Sequence, residues 1–231
     1  MRVIHTQDEL NCFLKQVQEQ REERVTMMVT HPLSATLSDG RFRNLLDLLL
    51  PMVQGRSIHL GREHGGDWRI TLHLRYRMGV RIADAHGCGD LSPLAPEECE
   101  ALDKALCIVA EAQQDDPDPL TLARRLFDAA RSCAVYENPA MGSPAHRRVV
   151  SAASVLIGGC GNCQGFADAY YLLGTLAGLS LRYLAGFKGR APHLWNLLLL
   201  DGRWQTVDVT SGAFLPDAAE LSAPGLSTGC L

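Results

Sequence analysis

The sequence predicts an α+β protein in two parts: a small N-terminal α+β unit over residues 1–90, and a core over residues 97–231 in which a cysteine-bearing helix is followed by antiparallel strands. Three observations carry this. Between Ser57 and Ala85, the segment SIHLGREHGGDWRITLHLRYRMGVRIADA reads as a hairpin around Gly65 and Gly66 with a long second strand. From Cys163 onward, Phe166, Ala167, Tyr170, Leu173 and Ala177 recur at the spacing of a buried helical face. Asp201 and Gly202 then separate two apolar runs, and that dipeptide is preferred in two-residue hairpin turns.

Taken in order, residues 6–23 place Leu10, Phe13, Leu14 and Val17 at helical spacing, with Thr6 and Glu9 forming a capping box. RVTMMVT (24–30) is a strand, and His31, Pro32, Ser38, Asp39 and Gly40 mark a loop before the helix RFRNLLDLLLPMV. The hairpin of residues 57–85 closes the first unit. HGCGDLSPLAP (86–96), rich in Gly and Pro, is the expected boundary. Beyond it, Glu97 to Gln113 forms a helix with Leu102, Leu106 and Val109 on one face. DPDP stops that helix, and Leu120 to Tyr136 forms the next, with Leu122, Leu126 and Phe127 inward. ENPAMGSPA is a loop, Gly178 is placed to cap the helix from Cys163, and LRYLAGFK (181–188), HLWNLLLL and RWQTVDVT are strands. No internal repeat is present, which excludes a solenoid.

Composition narrows the function. The 231 residues are 46% hydrophobic and 21% charged, ordinary globular values, and the net charge of -4 gives no electrostatic reason to expect a nucleic-acid partner. Arg124, Arg125, Arg131, Arg147 and Arg148 lack interleaved aromatics and read as solvated faces. No apolar run has signal-peptide or membrane-spanning length, so the expectation is a cytoplasmic protein without a membrane partner. The eight cysteines, Cys12, Cys88, Cys99, Cys107, Cys133, Cys160, Cys163 and Cys230, then read as reduced and mostly buried thiols.

One of them is placed for chemistry. A cysteine in the first turn of a helix faces unpaired backbone N–H groups and the positive end of the helix dipole, which favour the thiolate and can hold an oxyanion. With Leu200 opposite Arg203 across the Asp201–Gly202 turn, Trp195 faces Asp208 and His193 faces Thr210. His193, Trp195, Asp208 and Thr210 then share one face of the sheet. His193 and Asp208 become diagonal neighbours about 7 to 8 Å apart along the backbone, a gap that imidazole and carboxylate side chains can close. A one-residue slip would separate them onto opposite faces.

These residues resemble the transglutaminase-like superfamily of papain-like thiol enzymes. Cys163, Gln164, Gly165, Phe166 and Ala167 are similar to its G-x-C-x-G-[YF]-A element, and His193, Trp195 and Asn196 to its H-x-W-N element. Asp201, Gly202, Arg203 and Trp204, then Val207, Asp208, Val209 and Thr210, are similar to its DG-x-W…VDVT element. The resemblance covers residues 120–211 and implies Cys163 as nucleophile, His193 as base and Asp208 as the group that orients the base. It implies a thiol-dependent acyl transfer on peptide or side-chain amides, with hydrolysis favoured over crosslinking, a protein or peptide substrate, and no cofactor. The chain departs from the family pattern at Ser211, where Trp is common, and in its short C-terminal end, ELSAPGLSTGCL. No upstream residue is assigned to the oxyanion hole, and residues 1–90 match no motif.

Other readings use the same residues. A catalytically silent module could keep the fold for binding, and an amine acceptor would make the enzyme a protein transglutaminase. Cys160 and Cys163 form a C-x-x-C pair that His86, Cys88, Cys99 or Cys133 could complete as a zinc site; no second C-x-x-C supports this, so no metal is expected. Cys160 reads instead as a neighbour able to form a reversible disulfide with Cys163.

Overall fold

The computed structural model describes residues 1–36 and 39–215. These form two compact units that meet in sequence at Arg77 and Met78.

In the first unit, β1 (Arg2–Ile4) leads into α1 (Gln7–Glu19), whose start carries the expected Thr6–Glu9 capping box and whose inward face is Leu10, Leu14 and Val17. The helix crosses back so that β2 (Arg24–Val29) lies parallel to β1. Residues read as a loop contain a short helix, α2 (His31–Thr36), because the Leu33 and Ser34 N–H groups both close on the Thr30 carbonyl and Leu33 is buried. Ser38 lies outside the described residues. After α3 (Asp39–Leu49), β3 (Val53–Arg62) and β4 (Trp68–Tyr76) form the hairpin around Gly65 and Gly66, completing a sheet of order β1-β2-β4-β3. Trp68, Ile70, Leu72, Leu74 and Tyr76 alternate inward along β4.

The long second strand expected to reach Ala85 stops at Tyr76. From Met78 the period changes: Met78, Ile82 and Ala85, with Val80 and Ala83, are buried at helical spacing and form α4 (Met78–Cys88) of the second unit. The Gly- and Pro-rich stretch 86–96 therefore connects α4 to α5 (Pro96–Ala112) within that unit.

Next comes α6 (Pro119–Ser132), capped by the Asp118 carboxylate, which accepts from the Leu120 and Thr121 N–H groups. The helix expected to run to Tyr136 ends at Ser132. Instead, Val135 and Tyr136 form a short strand, β5 (Val135–Tyr136), with the Val135 and Glu137 N–H groups donating to the Gly159 and Gly161 carbonyls. Two short helices, α7 (Pro144–Arg147) and α8 (Ala152–Leu156), follow, and then β6 (Cys160–Gly161), parallel to β5. Both helices are too short to show a periodicity in sequence.

At the centre lies α9 (Cys163–Leu176), packed by α4, α5, α6 and α8 and by two strands, β7 (Leu181–Lys188) and β8 (Ala191–Leu200). Gly178 caps it at φ 83°, as expected, with the Leu179 N–H donating to Gly174. Leu126, Phe127, Ala169, Tyr170, Leu173, Leu198 and Val207 build one core, in which Phe127 meets the edge of Tyr170 with ring centres 6.3 Å apart. The sheet continues through β9 (Arg203–Asp208) to β10 (Ala213–Phe214), in the order β10-β9-β8-β7. Leu200 pairs with Arg203 and Asn196 with Val207, the register expected from the Asp201–Gly202 turn, whose residues take φ 50° and 74°. Among the described residues, no helix is long and apolar enough to cross a membrane.

Candidate active site

Cys163 opens α9. The preceding residue, Asn162, is buried and caps the helix, its side-chain oxygen accepting from the Gln164 and Gly165 N–H groups at 2.9 and 3.3 Å. Its own N–H donates to the Val149 carbonyl at 2.8 Å, which fixes the entry of the chain into the helix. The cap thus takes the second and third N–H groups and not that of Cys163 itself.

The imidazole lies on β8 and the carboxylate at the end of β9, where the register puts them diagonally on one face. His193 Nε2–H donates to Asp208 Oδ2 at 2.8 Å. Since a carboxylate only accepts, this bond fixes the proton on Nε2 and leaves Nδ1 for the thiol side. Trp195, two residues along the same face, stacks on the imidazole at 5.5 Å between ring centres and 28° between planes. The indole reaches across β7 at Gly186, where a Cβ would lie 2.7 Å from Trp195 Cη2, so that close approach requires glycine.

Burial alone would raise the Cys163 thiol; its hydrogen bond with His193, the Leu194 N–H, the imidazolium charge and the Gln164 N–H together bring it below its ordinary value of 9.0. Burial alone would lower His193, but its bonds to Asp208 and Cys163, and their charges, raise it to about 9. Cys133 provides the contrast. It is half-buried, only the charge of Lys104 opposes its desolvation, and its thiol is pushed up. A lowered thiol in this chain therefore requires partners, and Cys163 has them.

Asp208 is held from a second side. Ser211 donates from Oγ to Oδ2 at 2.5 Å and from its N–H to Oδ1 at 3.3 Å, and Lys188 Nζ lies 3.8 Å from Oδ2. Burial would raise this carboxyl; His193 and Ser211 outweigh it and lower it. The departure from the family pattern at Ser211 thus supplies a donor to the carboxylate. Ser211→Ala is expected to raise the Asp208 pKa and lower the rate of Cys163 alkylation at neutral pH about threefold, as suits one lost hydrogen bond to a charged group. NMR titration of the variant's carboxyl and the alkylation rate check this.

Tyr136, 47% exposed, lies on a strand, although the spacing of residues 120–136 predicts a helix there. Burial and then the charges of Cys163 and Asp208 raise its phenol, which places it in the field of both groups. Its strand pairing with Gly161, two residues before Cys163, brings it there. The β-branched and aromatic pair Val135–Tyr136 after a polar helix end was the available signal. Among the described residues, no group of three or more His, Cys, Asp or Glu side chains is arranged to hold a metal ion, and Cys160 is a free thiol on β6.

Residues 108–209 match the profile of the transglutaminase-like superfamily. The chain is 34% identical to the human kyphoscoliosis peptidase over 68 residues, covering 24% of this chain and 10% of that protein. A solved structure described as a TGase aligns at a TM-score of 0.47 with 14% identity, over 96% of this chain and 63% of the other. One from Cytophaga hutchinsonii, described as a candidate cysteine protease, aligns at 0.40 with 13% identity, over 68% and 65%. The chain therefore spans about a tenth of the curated relative and under two thirds of either solved chain.

Proposed function

We propose that the protein, whose residues 108–209 match the profile of the transglutaminase-like superfamily, is a thiol-dependent acyl-transfer enzyme acting on peptide or side-chain amides, and that it hydrolyses them. The observation that carries this reading is His193, bonded at 2.8 Å to Asp208 and close enough to Cys163 to help lower its thiol. A thiolate and an imidazolium side by side supply the nucleophile and the acid of one reaction.

The Cys163 sulfur attacks the amide carbonyl carbon, and the carbonyl oxygen becomes an anion facing the Cys163 N–H at the start of α9. As the C–N bond breaks, His193 gives its Nδ1 proton to the departing amine. Neutral His193 then takes a proton from water, whose oxygen attacks the thioester, and the carboxylic acid leaves with the thiol restored as thiolate. Asp208 holds the imidazole in orientation throughout. Trp195, stacked on the ring, keeps water from its face. The peptidase name of the human relative supports water as the acceptor.

Acid quenching during turnover of a peptide mixture, followed by peptide mass spectrometry, tests the reading. Cys163 is expected to carry an acyl increment, and added methylamine is expected to stay out of the product. An unmodified Cys163 during turnover overturns the thiol mechanism, and methylamide product in place of acid overturns hydrolysis.

A further inference from the structure

We propose that Asp168, acting through Tyr183, is the positioning residue that seats the Cys163 helix against the strand pair carrying His193. The proposal rests on the thiol-enzyme reading above and adds a residue to it that touches neither the substrate nor the triad.

Asp168 lies on α9, five residues beyond Cys163, and is completely buried. A carboxylate removed from water costs several kcal/mol unless donors surround it, so its partners are a condition of the fold and not a decoration. Three donors come from three different elements. The Gly79 N–H at the start of α4 reaches Oδ1 at 3.1 Å, the Ala152 N–H at the start of α8 reaches Oδ2 at 2.9 Å, and the Tyr183 hydroxyl on β7 reaches Oδ1 at 2.7 Å. The approach at α4 is close enough that a Cβ on Gly79 would lie 2.8 Å from Oδ1.

Of these bonds, the one from Tyr183 concerns the reaction. The Cys163 helix and the His193 strand have no covalent connection nearer than the turn after α9 and the whole of β7. Tyr183 opposes Asn196 in the β7–β8 ladder, and three residues on, Gly186 opposes His193. A bond from α9 to Tyr183 therefore sets the sliding position of the helix on the same ladder that carries the imidazole. The Tyr183 ring is itself held by stacking on Tyr171 of α9, at 4.4 Å and 24°. Two contacts one helical turn apart fix a translation better than either alone. Ala152 lies at the end of the loop whose Val149 carbonyl holds Asn162, so the same carboxylate also steadies the segment that starts the helix.

Tyr183→Phe removes the hydroxyl and keeps the stacked ring, and the pH dependence of Cys163 alkylation by iodoacetamide reads the outcome without any substrate. If Asp168 positions the thiol, the wild-type rate already rises well below pH 9, and the variant's rate near pH 6 falls about tenfold while its rate near pH 10, where every thiol is ionised, is unchanged. Asp168→Asn, which keeps the shape and loses the charge, is expected to move the profile in the same direction. A Tyr183→Phe profile superimposed on that of the wild type, whatever its loss of thermal stability, makes the cluster purely structural and overturns the proposal. A wild-type profile with an ordinary thiol midpoint overturns the thiol-enzyme reading on which the proposal rests, so the two failures are told apart by the wild-type curve alone.

Discussion

Cys163→Ala is expected to lower amide turnover by about 10⁵-fold or more, to the background sustained by binding and oxyanion donors alone. The substitution removes one sulfur atom from a partly buried site, so the melting temperature is expected to stay close to that of the wild type. Labelling of the intact protein by iodoacetamide at neutral pH reads the same residue independently. The described residues hold seven free cysteines, and Cys133, pushed up by burial, reacts slowly, so loss of the fastest-labelled site in the variant identifies it as Cys163. Turnover retained within about tenfold of the wild type would remove sulfur from the chemistry.

The second large effect belongs to Asp208. With the thiol below 9.0 and His193 raised to about 9, the thiolate and imidazolium coexist from the lowered thiol value up to about pH 9. In that window the nucleophile is ionised and the acid still carries its proton; below it the thiolate is lost, above it the acid is lost. Asp208→Asn removes the principal group that raises His193. The imidazole then falls toward 6.5, the thiol rises toward 9.0, and the window closes from both sides. The expected result is a loss of about 10³- to 10⁴-fold in kcat with a narrowed pH profile. A profile of unchanged width would mean that Asp208 does not set the charge of His193.

The same shifts act on stability. His193, raised when folded, contributes stability in full below about 6.5 that disappears as the pH rises through about 9. Asp208, lowered when folded, contributes above 3.8 and loses its contribution as the pH falls through its folded value. Chemical denaturation across pH is expected to show both limbs in the wild type and both diminished in Asp208→Asn, the alkaline one keeping the part that Cys163 contributes to His193.

The parts of the fold read correctly from sequence were those governed by short-range rules. The Thr6–Glu9 capping box, the helix from Cys163 to its Gly178 cap, and the Asp201–Gly202 turn depend on neighbours within a few residues, and each appears where expected. The turn had the greatest consequence, since a two-residue loop leaves no freedom of register and therefore fixes which side chains share the face with His193. The failures were long-range. The N–H groups of Val135 and Glu137 bond to the residues just before Cys163, and nothing in the helical spacing of Leu122, Leu126 and Phe127 announces that partnership. Met78 to Cys88 carries enough apolar residues to satisfy either period, and packing against α9 decided for the helix. For the same reason Tyr136, Ser211 and Tyr183 were invisible as participants: each acts through a partner supplied by another part of the chain or by a turn whose path the sequence did not reveal.

The two-residue pairing of β5 with β6 has a further consequence for how such a protein can be altered. It clamps the backbone at Tyr136 and Gly161, while the cap of α7 at Ser143 begins the ordered return toward Asn162. Residues 137–143 are thereby held between two anchors, the first of them paired to the strand that ends two residues before Cys163. Doubling the length of such a loop costs only about 0.6 kcal/mol in closure entropy. This short stretch is where added residues are expected to cost the fold least, while β5 and β6 stay paired.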